Sequence, residues 1–392
     1  MIPAFFFGVM LVLAQMTTLR GQSSVGALDI LLIASGLLAL ATALELNLRQ
    51  PAAAPMGVGS PPPQAGFVAG LASPLSLFAF GSALAITVSL LLNIQRPAAS
   101  AEDMATAAIP FYANALLLLC FVILLYSRHV RGLIWGFSLA SLLVAVGYTI
   151  GAIIQLPQMY VETRFAGFAS NPNQSALQAL ATFVALLICL VKLPQRQSLL
   201  KLVIYAAMPL TLIYGLFTVS DSLILALPPA LAAAGLVVLD RFRIPLWVAV
   251  FCSLLLFILF LVGLAIAVPD IFGGVGSALQ AQFTVGNQDT DRQALWNNGL
   301  EAWGNSFWWG NGPGAWSGLG GPYQGQEAHN SIIDWLSIAG LIGIIPHMYL
   351  MIALARVRPR FRLFRFACFL ALFTFTMFHF TFRLPVFWFA MA

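Results

Sequence analysis

Charge is what this sequence has least of. Only 8% of its 392 residues are Asp, Glu, Lys or Arg, while 60% are hydrophobic and the mean hydropathy is +0.93. An ordinary soluble domain carries about 25% charged residues, so a water-soluble globular chain is excluded. Lysine is nearly missing, since sixteen of the eighteen basic residues are arginine. Cysteine is scarce and unpatterned. Cys120, Cys189, Cys252 and Cys368 all fall inside apolar runs with no CxxC spacing, which excludes a zinc ribbon or a redox dithiol and leaves small core hydrophobes. No Lys or Arg precedes the first apolar run, so it lacks the positive n-region of a cleaved signal peptide and reads as a span. Apolar and polar residues do not alternate along the runs. Continuous apolar stretches select helices over a closed barrel, the other structure that satisfies its backbone in lipid.

What is present is a succession of apolar runs long enough to cross a bilayer. Their approximate limits are 2–19, 27–44, 67–94, 109–127, 132–154, 174–191, 202–219, 222–239, 245–268, 331–355 and 366–390. Pro74 in the third and Pro228-Pro229 in the eighth predict kinks or breaks. The expected fold is an all-α integral membrane protein of about 11–12 transmembrane helices, forming a single polytopic domain over 1–392. A Pro-rich stretch, 45–66, reads as a cytoplasmic linker. There is no internal repeat. Basic residues follow runs four, six, eight and ten, where 356–365 alone holds five arginines. All four clusters fall on one side of an alternating topology, the cytoplasmic side.

The other side is then external. It receives the loop 95–108 with Glu102-Asp103, the stretch 155–173, the turn at Ser220-Asp221-Ser222 and the long polar segment 269–330. Arg164 and Arg292 break the charge trend by lying there. Within 269–330, Thr290 and Gln293 have capping-box spacing. Arg292, Trp296, Leu300 and Trp303 then recur at helical spacing, as in an amphipathic helix lying at a membrane interface. The loop Gly310-Asn311-Gly312-Pro313-Gly314 follows. No strand precedes it and no Gly-Lys-Ser/Thr follows, so it is neither a dinucleotide fingerprint nor a P-loop. It predicts a tight turn whose backbone approaches the membrane helices or a ligand. Glu327-Ala328-His329-Asn330 leads into the tenth run. Before the sixth, Asn171-Pro172-Asn173 reads as a turn with Asn173 as helix cap. His379 and Arg383, four apart near the external end of the last run, share a face.

Taken in order, these motifs resemble the O-antigen ligase and polymerase superfamily. The resemblance rests on Arg164-x-x-Gly167 with Asn171-Pro172-Asn173, Arg292-x-x-Leu295-Trp296, Gly310-x-Gly312-x-Gly314, and His329-Asn330 with Gly340-Leu341-Ile342-Gly343. It covers roughly the C-terminal two-thirds. It implies a bacterial inner-membrane glycosyltransferase with a periplasmic active site, which takes a glycan from undecaprenyl pyrophosphate to an acceptor hydroxyl without metal or other cofactor. The acceptor would be another glycan, lipid A core or a protein. Membrane lipids are the remaining partners, and no nucleic acid is expected. The resemblance assigns Arg164 and Arg292 to the pyrophosphate and His329 to the acceptor hydroxyl. Family members often carry Ser-Arg where this chain has Ser220-Asp221, so Arg383 is the candidate for a third cationic contact.

The residue types support the same chemistry independently. Arginines at an apolar boundary suit a lipid-borne phosphate, and they stabilise charge growing on a leaving group. A neutral imidazole accepts a proton near pH 7, which makes His329 the candidate base and Glu327 the alternative base or orienting group. Direct displacement would invert the anomeric carbon. Asn330 and Trp296 complete the expected substrate-binding set, and Trp296, Trp303 and Trp308 suit interface anchoring or stacking on sugar. Two other readings stand beside this one. A metal-dependent glycosyltransferase would need Glu102-Asp103 or Asp289-x-Asp291 as ligands, although the latter pair also suits the first turn of a helix. A transporter or flippase for a lipid-linked or anionic substrate would need charges along a mid-membrane path.

Overall fold

The computed structural model describes residues 1–16, 27–48, 70–94, 101–127, 129–161, 163–193, 197–242, 287–314, 326–355, 359–379, 381, 387 and 390. The ninth apolar run, most of the Pro-rich linker and Arg383 lie outside these residues. The described chain is all-α apart from one small hairpin. The helices are α1 (Ile2–Leu13), α2 (Ala27–Leu48), α3 (Pro74–Asn93), α4 (Ala101–Leu125) and α5 (Val130–Ile153). The hairpin strands β1 (Tyr160–Val161) and β2 (Arg164–Phe165) come next. Then follow α6 (Pro172–Lys192), α7 (Ser198–Phe217), α8 (Asp221–Phe242), α9 (Asn287–Asn305), α10 (Ser331–Ala355) and α11 (Pro359–Thr376). Seven of the described helices are long and apolar enough to cross a bilayer, and α1, α8 and α11 contribute shorter apolar stretches.

Several boundaries differ from those expected. Pro74 does not kink a span. It opens α3 at the first helical position, with the Ser73 side chain capping Ser76 N–H, where proline's missing N–H costs nothing. Pro228-Pro229 lie within one helix, α8, as neighbouring helices can permit in a membrane bundle. The helix α4 starts at Ala101, so the acidic pair Glu102-Asp103 belongs to a helix start and not to a loop. Residues 45–48, placed in the linker, finish α2.

Two apolar clusters make up the core. One joins α3, α4, α6, α8, α10 and α11 around Phe78, Phe111, Trp335 and Phe375. The other joins α1, α2, α5, α7 and the hairpin around Phe7, Phe137, Tyr148, Phe165 and Tyr214. The helices α4, α6 and α7 supply residues to both. Buried Trp335 shows how the first cluster is fastened. Its ring meets Phe111 and His347 edge-on at 5.5 and 5.1 Å, and its indole N–H donates to Gly343 O at 2.6 Å.

The helix α10 is interrupted. Gly340 has φ 61° and ψ −162°, a conformation open only to glycine. An interruption frees backbone groups that lipid cannot satisfy, and the glycine loop supplies their partners. Asn311 N–H donates to Ser337 O at 2.8 Å, and Gly312 N–H to Ile338 O at 3.0 Å. On the other side of the break, Leu341 N–H donates to Phe307 O at 2.9 Å and Ile342 N–H to Trp308 O at 3.2 Å. Of the two roles left open for this loop, approach to the membrane helices is the one seen. Ser89 of α3 adds a hydroxyl bond to Ile338 O at 2.6 Å, and Asn93 donates to Gly310 O at 3.1 Å.

Gly310, at φ 69°, and Gly340 face each other. A Cβ on Gly340 would collide with the backbone of Trp308 and Gly310, and one on Gly310 with the backbone of Ile338. Backbone cannot swing aside as a side chain can. Gly340→Ala is therefore expected to cost more than about 1 kcal/mol, beyond the usual effect of alanine at a compatible site. Thermal unfolding of the purified variant in detergent checks this, with Gly147→Ala, where a Cβ meets nothing within 4 Å, as the neutral control.

Candidate functional site

The site is assembled at the end of the bundle where α5 gives way to the hairpin, α6, α8 and α10 begin, and α7 and α11 finish. The hairpin sets Arg164. Val161 pairs with Arg164 and Tyr160 with Phe165 in antiparallel register. Gly167, at φ 59°, packs directly on the Tyr148 ring, whose hydroxyl accepts from Phe168 N–H at 3.0 Å. From this base the Arg164 guanidinium reaches the α7–α8 turn. It donates to Thr218 O at 3.1 Å and to Val219 O at 2.8 Å, with a longer contact of 3.4 Å to Asn173 Oδ1. Val219 has φ 50°, a genuine outlier for a β-branched residue, and its carbonyl takes one of those bonds. Asn173 therefore does not cap α6. Asn171 does, accepting from Gln174 N–H at 2.9 Å ahead of Pro172. A cap one residue before a first-position proline is the better fit to helix geometry.

The helix α9 starts at Asn287, four residues earlier than a Thr290 cap implies, so Thr290 lies within it. Leu295, Gly299 and Ala302 are its buried stripe. Gly299 rests against Ile333 of α10 so closely that a Cβ would strike it. Arg292 continues this stripe toward the N-terminus, and its guanidinium carbon lies 5.8 Å from the centre of the Phe378 ring, within cation–π range. Trp296 is partly buried, and its indole nitrogen is buried without a hydrogen-bond partner. Trp303 stacks on Phe307 at 4.9 Å.

His329 is solvent-exposed and has φ 53°. The turn around it is held by two side chains of the α10 start. The Asn330 carbonyl oxygen accepts from Ile332 and Ile333 N–H at 3.1 and 3.3 Å, capping the helix. The Asp334 carboxylate accepts from Ala328 N–H at 2.7 Å and Asn330 N–H at 3.3 Å, one oxygen each, on either side of His329. Asp334 is fully buried. Glu327 is partly buried two residues before His329. The segment after α11 is tied to the same helix start. Ser331 Oγ donates to His379 O at 2.6 Å and accepts from Thr381 N–H at 2.9 Å.

His379 marks where the pieces meet. Its ring lies 6.1 Å from that of His329, edge to face. Burial pushes its imidazole down from 6.5 to about 3, and His329, Arg292 and Arg164 each add to the fall in that order. Three residues singled out in the sequence thus bear on one ring, although Arg164 precedes it by 215 positions and His329 by 50. Arg383 lies outside the described residues. So do the side chains of Glu102, Asp103, Asp289 and Asp291, the ligands that the metal alternative names. Among the described residues no three of His, Cys, Asp and Glu gather as a metal-holding group.

The fold and this end-on cluster define a multi-pass α-helical membrane protein with a cationic, histidine-containing site at one end of its bundle. Residues 206–348 match the model of a family described as O-antigen ligase. That match supports the O-antigen ligase and polymerase superfamily for this chain and, with it, a membrane glycan-transfer role. It takes in Arg292, His329 and the α10 interruption but not Arg164. No curated protein matches the sequence.

Asp334, Ser331 and the Thr218–Val219 carbonyls were not anticipated. An acidic residue three positions into an apolar run was the available sign for Asp334, since buried charges are kept where they are bonded. The low pKa of His379 has a direct consequence for stability. Above about 6.5 neither folded nor unfolded chains protonate it. Between 6.5 and about 3 the unfolded chain binds a proton that the folded chain does not, so stability falls as pH falls. His379→Gln is expected to flatten this part of the pH dependence of thermal unfolding in detergent.

Proposed function

We propose that this protein transfers a glycan from undecaprenyl pyrophosphate to an acceptor hydroxyl on the periplasmic face of the bacterial inner membrane. The observation that carries the reading is the approach of the His329 and His379 rings at 6.1 Å, with Arg292 5.8 Å from the neighbouring Phe378 ring, at the bundle end where Arg164 holds the α7–α8 turn. The family match over 206–348 supports the reaction class. The arrangement favours a transferase over a transporter because these groups collect at a bundle end.

Arg164 and Arg292 bind the pyrophosphate. Both are permanently charged at any working pH, and both sit beside apolar surface where charge–phosphate attraction is strong. As the glycosyl bond breaks, the developing charge on the diphosphate is met by cations already in place. Arg383 is the proposed third contact. His329 takes the proton of the acceptor hydroxyl as it attacks the anomeric carbon, and the configuration there inverts. His379, held neutral beside it, supports the base without competing with the arginines for the anionic donor. Asn330 fixes the start of α10, and Trp296, one turn along α9 from Arg292, is proposed as a further substrate contact. No metal or cofactor enters the mechanism.

The test is reconstitution in proteoliposomes with a lipid-linked oligosaccharide and a set of acceptors, glycan, lipid A core and protein. Transfer is expected to persist in EDTA. His329→Ala is expected to lower the rate by about 10²–10⁴-fold, the range for a lost general base. Arg292→Ala is expected to lower it by about 10²–10³-fold, as for a lost oxyanion contact. Unchanged rates in both variants, or loss of transfer in EDTA, would overturn the reading.

A further inference from the structure

The left-handed backbone of His329 suits histidine better than most non-glycine residues, and its surroundings hold it there. A non-glycine residue at φ 53° is uncommon, and such a backbone persists only where its surroundings over-determine it. Here the surroundings are specific. The two N–H groups that flank His329, those of Ala328 and Asn330, both point at the Asp334 carboxylate, one to each oxygen. An ionised carboxylate is an acceptor only, so it matches two convergent donors. Its charge also suits the first turn of α10, where helix amides carry partial positive charge. Ala328 and Asp334 are both fully buried, while the His329 side chain between them projects into the open.

We infer that Asp334 is the positioning residue for His329: by clamping the amides on both sides, it holds the backbone in the left-handed turn that directs the imidazole toward His379 and the arginines. The Asn330 cap fixes where α10 begins, but its bonds run forward to Ile332 and Ile333. The Asp334 bonds run back across His329. Without them the turn loses the contacts that favour the strained φ, and an ordinary backbone conformation points the imidazole elsewhere. The inference rests on His329 being the base of the proposed reaction.

Steady-state transfer in proteoliposomes, with donor concentration varied, tests it in Asp334→Ala, Asp334→Asn and Asp334→Glu, each alone and the first also combined with His329→Ala. Asp334→Ala is expected to lower kcat by about 10²-fold, the cost of a misplaced reacting group, with the donor KM within about threefold of the parent. Asp334→Asn keeps one acceptor and is expected to fall between the two. The double variant is expected to match His329→Ala alone, because a residue that acts through the imidazole has nothing to position once the imidazole is gone. A merely structural role predicts instead a further loss in the double variant. Parent-like kcat in Asp334→Ala, or additive losses in the double variant, overturns the inference. If Asp334→Ala does not yield folded protein by size-exclusion chromatography, the Asn variant alone and in the His329→Ala background decides by the same criterion. An inactive parent protein overturns the functional reading, and the inference with it. A parent whose activity His329→Ala abolishes while Asp334→Ala spares it removes only the inference.

Discussion

Four backbone hydrogen bonds between the glycine loop and the gap in α10 are the constraint on which the rest depends. A helix inside a bilayer cannot be broken without replacing the partners of the groups it frees. Here the replacement comes from a segment outside the span, and it is paired group for group: two loop amides to two helix carbonyls, two helix amides to two loop carbonyls. The arrangement needs glycine on both sides, because the two backbones approach too closely for a Cβ. It fixes α9, which precedes the loop, against α10. That in turn sets Arg292 and the His329 turn relative to one another.

Strain at the site is distributed in a similar way. Val219 and His329 both adopt positive φ, and both sit where backbone groups are bonded by a charged side chain. Arg164 bonds the carbonyls of Thr218 and Val219, and Asp334 bonds the amides beside His329. In each case a polar side chain bonds the backbone beside a residue at positive φ. Arg164 therefore has two demands on it. Two of its N–H groups orient the hairpin against the α7–α8 turn, which would place the guanidinium in advance for the phosphate proposed as its ligand. Such preorganisation reduces the entropy that binding must otherwise spend.

Much of this was legible in the sequence, and the reasons for the rest are physical. The helices could be read because apolar length is the dominant demand of a bilayer. Arg164, Arg292 and His329 stood out because each is polar where its surroundings are not. Glycines 310, 312 and 340 could be noticed but not paired, since nothing in composition says which backbone a glycine will approach. Proline was misread at Pro74 and at Pro228-Pro229, because its effect depends on position in the helix and on the neighbours that cover it. Asp334 was hidden among apolar residues as an ordinary first-turn acid. Its reach back over four and six positions is local detail of the turn it bonds.

The rings of Phe307, Trp308 and Trp309 project outward from the loop, between 41% and 57% exposed. Their own carbonyls and neighbours are the ones bonded into the α10 gap, so these rings have no independent vertical freedom. If they seat at the lipid headgroups, as such rings favour, they become a depth gauge for the proposed reaction centre. A thinner or thicker bilayer then moves the lipid, and any diphosphate carried at its surface, up or down relative to cations that stay put. Membrane thickness becomes a tuning variable for the alignment of donor and protein, without any change in the protein's conformation.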